Sequence, residues 1–256
     1  MTRFPYMTGN LLLDALAAED RERLLAQMST VAFKQGDVLA EAGDRLSFVQ
    51  FPVSGVLSHV TLFDDGSSTE AATVGREGVV GAFAAAGSGV ARSHVVATCP
   101  GEALVIDRKA FCAIHDASHT LGRALLRYSE VLLAEARQEV ACRTRHPVEG
   151  RLARMLLTLS DKAEARTLPL SQEFLATLMG AQRTSVNASA KTLKEAGGIR
   201  YSRGNITITD RDRLKNKTCE CYAASQWARA AMAPAGDETG EAWGSPALAS
   251  VLSPTG

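Results

Sequence analysis

The stretch from Ser171 to Ile208 constrains the fold most, because its hydrophobic period switches from helical to alternating within one short segment. Ser171 is a candidate N-cap ahead of Phe174, Leu175 and Leu178, and Gly180 stands just past them as a C-cap. A second helix is predicted from Arg183 to about Ala196, with Val186, Ala190 and Leu193 on one face and Gly197 and Gly198 closing it. From Ile199 to Ile208 the residues alternate and turn at Arg203, Gly204 and Asn205, as a hairpin does. Two helices joined by a short Gly-containing turn, followed by a hairpin, predict a winged helix-turn-helix.

The second helix of such a unit lies in the major groove and presents its N-terminal residues to base edges. Arg183, Thr184 and Asn187 occupy that end; Arg suits guanine, Asn adenine, and Thr a thymine methyl or a phosphate oxygen. Ser171, Lys191, Lys194, Arg200 and Arg203 are placed for phosphates, which position without specifying. The chain as a whole is formally neutral, yet Leu168 to Lys217 carries nine basic and four acidic residues, leaving the rest of the chain at −5. A rival reading, a sensory or scaffold protein whose helical C-terminal part binds protein partners, would make that asymmetry incidental.

Upstream, short apolar runs around Val31, Val38, Phe48, Val56, His59, Ala71 and Val95 are separated by Gly-rich turns, which predicts a small all-β sandwich or barrel. Asp65 and Gly66 mark a hairpin. One helix is predicted from Leu11 to Met28 ahead of these strands. After Asp107 the pattern is helical to about Asp161, broken at His146 and Pro147. Leu121, Leu125, Tyr128 and Leu132 recur at spacings of four and three, with Leu126, Leu133 and Val140 one step round. A stripe that wide exceeds what one roll would cover, so Leu121, Leu125, Tyr128 and Leu132 are read as a dimer seam; a helix packed only on its own domain is the alternative.

The fold class expected is α+β: a β-roll over 10–115, a dimerisation helix over 116–145 and a winged helix-turn-helix over 146–222. Residues 223–256, rich in Ala, Gly, Ser and Pro, are expected to be disordered apart from a turn around Trp227.

The β-roll, the long helix and the run from Leu170 to Val186 together resemble the catabolite activator/fumarate-nitrate (Crp/Fnr) family of bacterial regulators. Lys34 to Asp44 is similar to the family's early strand-turn-strand, and Phe51 to Val56 to the next. The resemblance covers roughly Asn10 to Tyr222. It implies a cyclic-nucleotide-binding-like jelly roll, a homodimer through the long helix, palindromic double-stranded DNA as partner, and RNA polymerase as a further candidate partner.

The family's nucleotide cassette pairs Gly-Glu, which holds the ribose, with a later Arg-Ser, which holds the cyclic phosphate. Here Arg92 and Ser93 match the second pair, while Gly81 and Ala82, or with a longer loop Gly78 and Val79, stand where the first belongs. Neither Ala82 nor Val79 can accept from a ribose hydroxyl, and leaving it unpaired would cost about 1–3 kcal/mol. Gly81, Ala82, Arg92 and Ser93 therefore mark an effector pocket whose ligand is unknown and is not expected to be cyclic AMP. In the recognition helix the family's arginine-glutamate pair and later arginine become Arg183, Thr184 and Ala188, which implies a different half-site.

The remaining signals are weaker. No apolar run approaches the roughly 20 residues that span a bilayer, and the N-terminal residues lack a signal-like apolar core, so a cytoplasmic location and no membrane partner are expected. Five scattered cysteines argue against a disulfide framework. Cys219 and Cys221 alone fall short of a zinc site and are read as inert thiols, and His115 and His119, at helical spacing, as a surface pair. No metal or cofactor is expected, and without a phosphate-binding Gly loop, HExxH or GxSxG the chain is not read as an enzyme. A redox-sensing roll using Cys99, Cys112 or Cys142 is a second rival.

Overall fold

In the computed structural model, which describes residues 7–230, Asn10 anchors the start of the chain. Its side chain caps α1 (Leu11–Asp14) by accepting from Leu13 N at 3.0 Å, and donates to the carbonyls of Pro52 and Gly78 at 2.8 and 2.9 Å. The single helix expected over Leu11 to Met28 is instead two. Ala17 is extended, α2 (Ala18–Leu25) restarts with Glu19 and Asp20 favourably placed in its first turn, and Met28 joins a strand.

The roll comprises β1 (Met28–Phe33), β2 (Val38–Ala40), β3 (Phe48–Pro52), β4 (Val56–Leu62), β5 (Ser68–Val74), the short helix α3 (Ala82–Ala86), β6 (His94–Cys99) and β7 (Gly101–Asp107). All pairings are antiparallel, in two sheets ordered β1-β7-β3 and β2-β6-β4-β5. The β4–β5 hairpin turns where Asp65 and Gly66 predict it, with Gly66 at φ +79°. Strand β7 carries an uninterrupted apolar run, Ala103 to Ile106, because it lies between two neighbours; such a run has no alternation to reveal it. Strand β4 reads in sequence as two pieces because Ser58 interrupts it, yet Ser58 is buried, its hydroxyl donating to Glu70 Oε2 at 2.6 Å.

Asp107 caps α4 (Arg108–Asp116), and Ser118 caps the long α5 (His119–Arg145). His115 and His119 therefore sit on different helices, so their spacing of four does not place them on one helical face. The break at His146 and Pro147 is where the sequence places it, and α6 (Val148–Ala163) follows. Then come β8 (Thr167–Leu168), α7 (Gln172–Met179), α8 (Arg183–Glu195), β9 (Ile199–Ser202), β10 (Asn205–Ile208), α9 (Arg211–Lys215) and α10 (Cys221–Ala230). The third sheet is ordered β8-β10-β9, and β8 is an addition to the hairpin expected.

Two further readings differ from the fold. The dimer seam is out of phase: Leu121, Leu125 and Tyr128 are buried against the chain's own roll beside Phe51, Ile106 and Phe111, and Leu132 is partly buried there. The roll needs an apolar cover, and this face of α5 supplies it. Gly78 permits the close approach, since a Cβ there would lie 2.1 Å from the Tyr128 hydroxyl. What α5 leaves exposed is Leu126, Leu133 and Val140. The disordered tail is also corrected over 223–230, which belong to α10: Cys221, Tyr222 and Ser225 bury one helical face, and the Tyr222 hydroxyl donates to Asp161 Oδ2 at 2.7 Å. Residues 231–256 lie outside the described residues.

The lobes are tied together by buried charge. Lys162 of α6 reaches the carbonyl of Thr73 at 2.6 Å, Glu77 Oε1 at 2.7 Å and Glu135 Oε2 of α5 at 3.3 Å. Arg143, near the end of α5, donates to the carbonyls of Glu70 on β5 and Met179 at the end of α7, both at 2.8 Å. It satisfies the C-terminal carbonyls of α7 while holding that helix to the roll.

Glu70, under this junction, gives the fold a pH dependence. Burial pushes its carboxyl up to about 7, opposed by the Ser58 hydrogen bond and the charges of Arg143 and Arg154 and reinforced by Glu139. Between the ordinary value of 4.5 and about 7 the folded state binds more protons than the unfolded one, so stability falls as pH rises through that window. Glu70→Gln is expected to flatten this fall; urea unfolding at stepped pH checks it, and an unchanged slope would assign the dependence to other groups.

Candidate nucleic-acid interface

The Ser171 hydroxyl accepts from Phe174 N at 3.0 Å and so caps α7, as expected. Gly180 ends α7 in the left-handed region at φ +55°, where a Cβ would lie 2.7 Å from Thr69 Oγ1. Helix α8 begins at Arg183 and buries Val186, Ser189, Ala190 and Leu193. Its opposite face carries Arg183, Thr184, Asn187, Lys191 and Lys194, all exposed except the half-buried Asn187, so the structure brings these five expected residues onto one surface. Asn187 Oδ1 is buried without a hydrogen-bond partner. Arg183 faces Glu173 at 4.0 Å and Lys191 faces Glu195 at 3.8 Å, exposed pairs that hold neither side chain firmly.

Arg203 and Gly204, at φ +46° and +79°, form the two-residue turn of the wing, and Asn205 belongs to β10. Arg200 and Arg203 are exposed there. The wing is fixed to the helix-turn-helix where Gln172 N donates to the Tyr201 hydroxyl at 3.0 Å.

The second site is a cavity of about 310 Å³ in the roll, within the range of small-molecule sites. Gly81, Arg92 and Ser93 line it as expected, but Ala82 does not: as the first residue of α3 it is fully buried in the core. His59 is a lining residue that sequence spacing did not single out. Its Nδ1 lies 2.8 Å from Ser93 Oγ, and burial together with the charge of Lys162 lowers its pKa to about 4, so the imidazole is neutral. The walls are mainly apolar, and among the described residues that line it there is no carboxylate. Leu132 brings α5 to the cavity, and Phe83 stacks on Tyr128 of α5 at 5.8 Å between centroids. A ligand there would press directly on the long helix.

Of the candidate redox cysteines, Cys99 is buried, and burial with Glu70 nearby pushes its thiol up to about 12, an inert state. Cys219 and Cys221 are not isolated: they converge with Cys142 and His146 from the far end of α5. Among the described residues no helix is long and apolar enough to cross a membrane.

The sequence matches two family models, a cyclic nucleotide-binding domain over residues 30–118 and a Crp-like helix-turn-helix domain over 150–217. It is 26% identical over 204 residues to the CRP-like cAMP-activated global transcriptional regulator of Mycobacterium tuberculosis, covering 76% of this chain and 90% of that one. The fold is similar to that of FixK2 from Bradyrhizobium japonicum, with a TM-score of 0.63 and 18% identity over 75% of this chain and 98% of that one. It is also similar to the c-di-GMP responsive global regulator CLP of Xanthomonas campestris, with a TM-score of 0.61 and 20% identity over 76% of this chain and all of that one. With a sensor-type roll and a Crp-like reading head matched in the same order and on the same fold, the chain belongs to the Crp/Fnr family and is a DNA-binding transcription regulator.

Proposed function

We propose that this regulator works in the cytoplasm as a homodimer on palindromic DNA, with α8 of each protomer in the major groove of a half-site and the wing beside it on the backbone. The observation that carries this reading is the single polar face of α8, opposite its buried face, with Arg183, Thr184 and Asn187 toward its N-terminal end. Lys191, Lys194, Arg200 and Arg203 contribute phosphate contacts, and Ser171 contributes through the helix end it caps.

Arg183→Ala is expected to cost about 1–3 kcal/mol on the matched site and little on random duplex, because a base contact is lost while phosphate contacts remain. Competition binding against single-base variants measures this. Sequence preference that survives unchanged would remove Arg183 from the groove.

The cavity is proposed to take an effector with an apolar body and a polar or anionic end directed at Arg92 and Ser93. The cyclic AMP in the M. tuberculosis relative's name is not carried over, because no lining carboxylate is present to accept from a ribose hydroxyl.

A further inference from the structure

We propose that Cys142, His146, Cys219 and Cys221 form a tetrahedral site for a single thiophilic divalent cation of the zinc type, which fastens the end of α5 to the C-terminal edge of the DNA-binding lobe. The four come from two places far apart in sequence. Cys142 lies in the last turn of α5 and His146 is that helix's C-cap, one turn further on, so both project to the same side. Cys219 precedes α10 and Cys221 opens it.

Each residue offers one ligand atom, and the four atoms all lie within 4.8 Å of one another. Cys142 Sγ is 3.6 Å from Cys219 Sγ, and Cys221 Sγ is 3.5 Å from His146 Nδ1. A zinc tetrahedron with Zn–S of about 2.3 Å and Zn–N of about 2.0 Å has edges of about 3.5 to 3.8 Å. The two distances given match those edges. They are also well beyond the S–S bond of about 2.05 Å in a disulfide.

The surroundings are those of a metal site. His146 Nε2 faces Glu220 Oε1 at 3.1 Å; with the proton on Nε2 donated to that carboxylate, Nδ1 turns its lone pair toward the three sulfurs. Gln138 Nε2 donates to Cys221 Sγ at 2.9 Å, a contact suited to a thiolate. Cys142 and Cys221 are buried, and the protein supplies all four positions, which marks a structural rather than a catalytic site. Binding would release three thiol protons to solvent, leaving the ion held by three thiolates and a neutral imidazole.

The location gives the ion a task. His146 and Pro147 separate the sensor half from the DNA-binding half, and the ion would bridge that break, making α10 a strap across it. This inference does not depend on the DNA reading.

The test uses the full chain, purified under reducing conditions without added metal or chelator. Elemental analysis is expected to find about one zinc per chain. After removal with a chelator, added Co²⁺ is expected to give the intense visible bands of a tetrahedral thiolate complex. The double variant Cys219→Ser, Cys221→Ser is expected to lose both signals, whereas Cys99→Ser and Cys112→Ser, outside the cluster, keep them. If the double variant fails to fold, mercurial titration of the wild type reports instead, with zinc expected to leave in step with blocked thiols. The proposal is overturned by fully reduced protein that takes up neither ion, by a weak octahedral Co²⁺ spectrum, by iron with acid-labile sulfide, or by a Cys142–Cys219 disulfide in place of metal.

Discussion

Replacing Leu133 with Asp is expected to convert the protein to monomers and to weaken its hold on a palindromic site by about 10²- to 10⁴-fold. Leu126, Leu133 and Val140 are 62%, 49% and 65% exposed and recur every seventh residue along α5, with the small residues Ser129 and Ala136 between them and Gly122 one turn before. That repeat suits the two-helix seam of the proposed dimer, in which small residues let the backbones approach. Burying each Leu contributes about 1.5–3 kcal/mol, and a two-fold axis makes every substitution count twice. An Asp placed there would be desolvated against its own copy. A protomer that reads only one half-site then loses the gain from linked binding. Sedimentation and DNA titration measure the two effects together. Leu125→Asp, one face round, is expected to unfold the roll rather than part the protomers; a Leu133→Asp protein that stays dimeric would place the seam elsewhere.

Lys162→Met is expected to cost about 3–5 kcal/mol, because it removes the buried cation shared by the largely buried carboxylates of Glu77 and Glu135. Burial raises the pKa of Glu77, but the ammonium beside it wins and holds that carboxyl below its ordinary value. The depressed value means the stabilisation is present above the unfolded pKa and is lost as pH falls through the folded one. In a chain of this size the loss corresponds to about 6–20 °C in melting temperature. Adding Glu77→Gln to Lys162→Met should recover part of it, since the buried charge is then removed along with its partner. A shift below about 2 °C for Lys162→Met would mean the network is open to water and screened. The network also joins β5, α5 and α6, so its loss is expected to loosen the path from sensor cavity to α8.

The parts of this architecture that sequence reveals are those fixed by local chemistry. Ser171, Gly180 and Gly204 each do what their residue type demands, so α7, α8 and the wing are placed nearly to the residue. What sequence does not reveal depends on partners distant along the chain. Periodicity shows that α5 has two apolar faces, but which face covers the roll depends on Gly78 and the roll's own core, and the face read as a dimer seam is the one that covers the roll. His59 enters the cavity only because β4 turns it inward beside Ser93. Cys219 and Cys221 look like a bare pair because the other half of their cluster lies 77 residues away from Cys219, at Cys142. α10 hides in an Ala-rich stretch whose helix is fixed by Tyr222 meeting Asp161.

Dimeric, sequence-specific DNA binding is measured by selecting sites from a random duplex pool with the whole chain and sequencing what is retained. The expected result is a two-fold symmetric consensus whose half-sites lie about one helical turn apart, retained less as salt rises. An enriched sequence without two-fold symmetry, or retention indifferent to both sequence and salt, would contradict it.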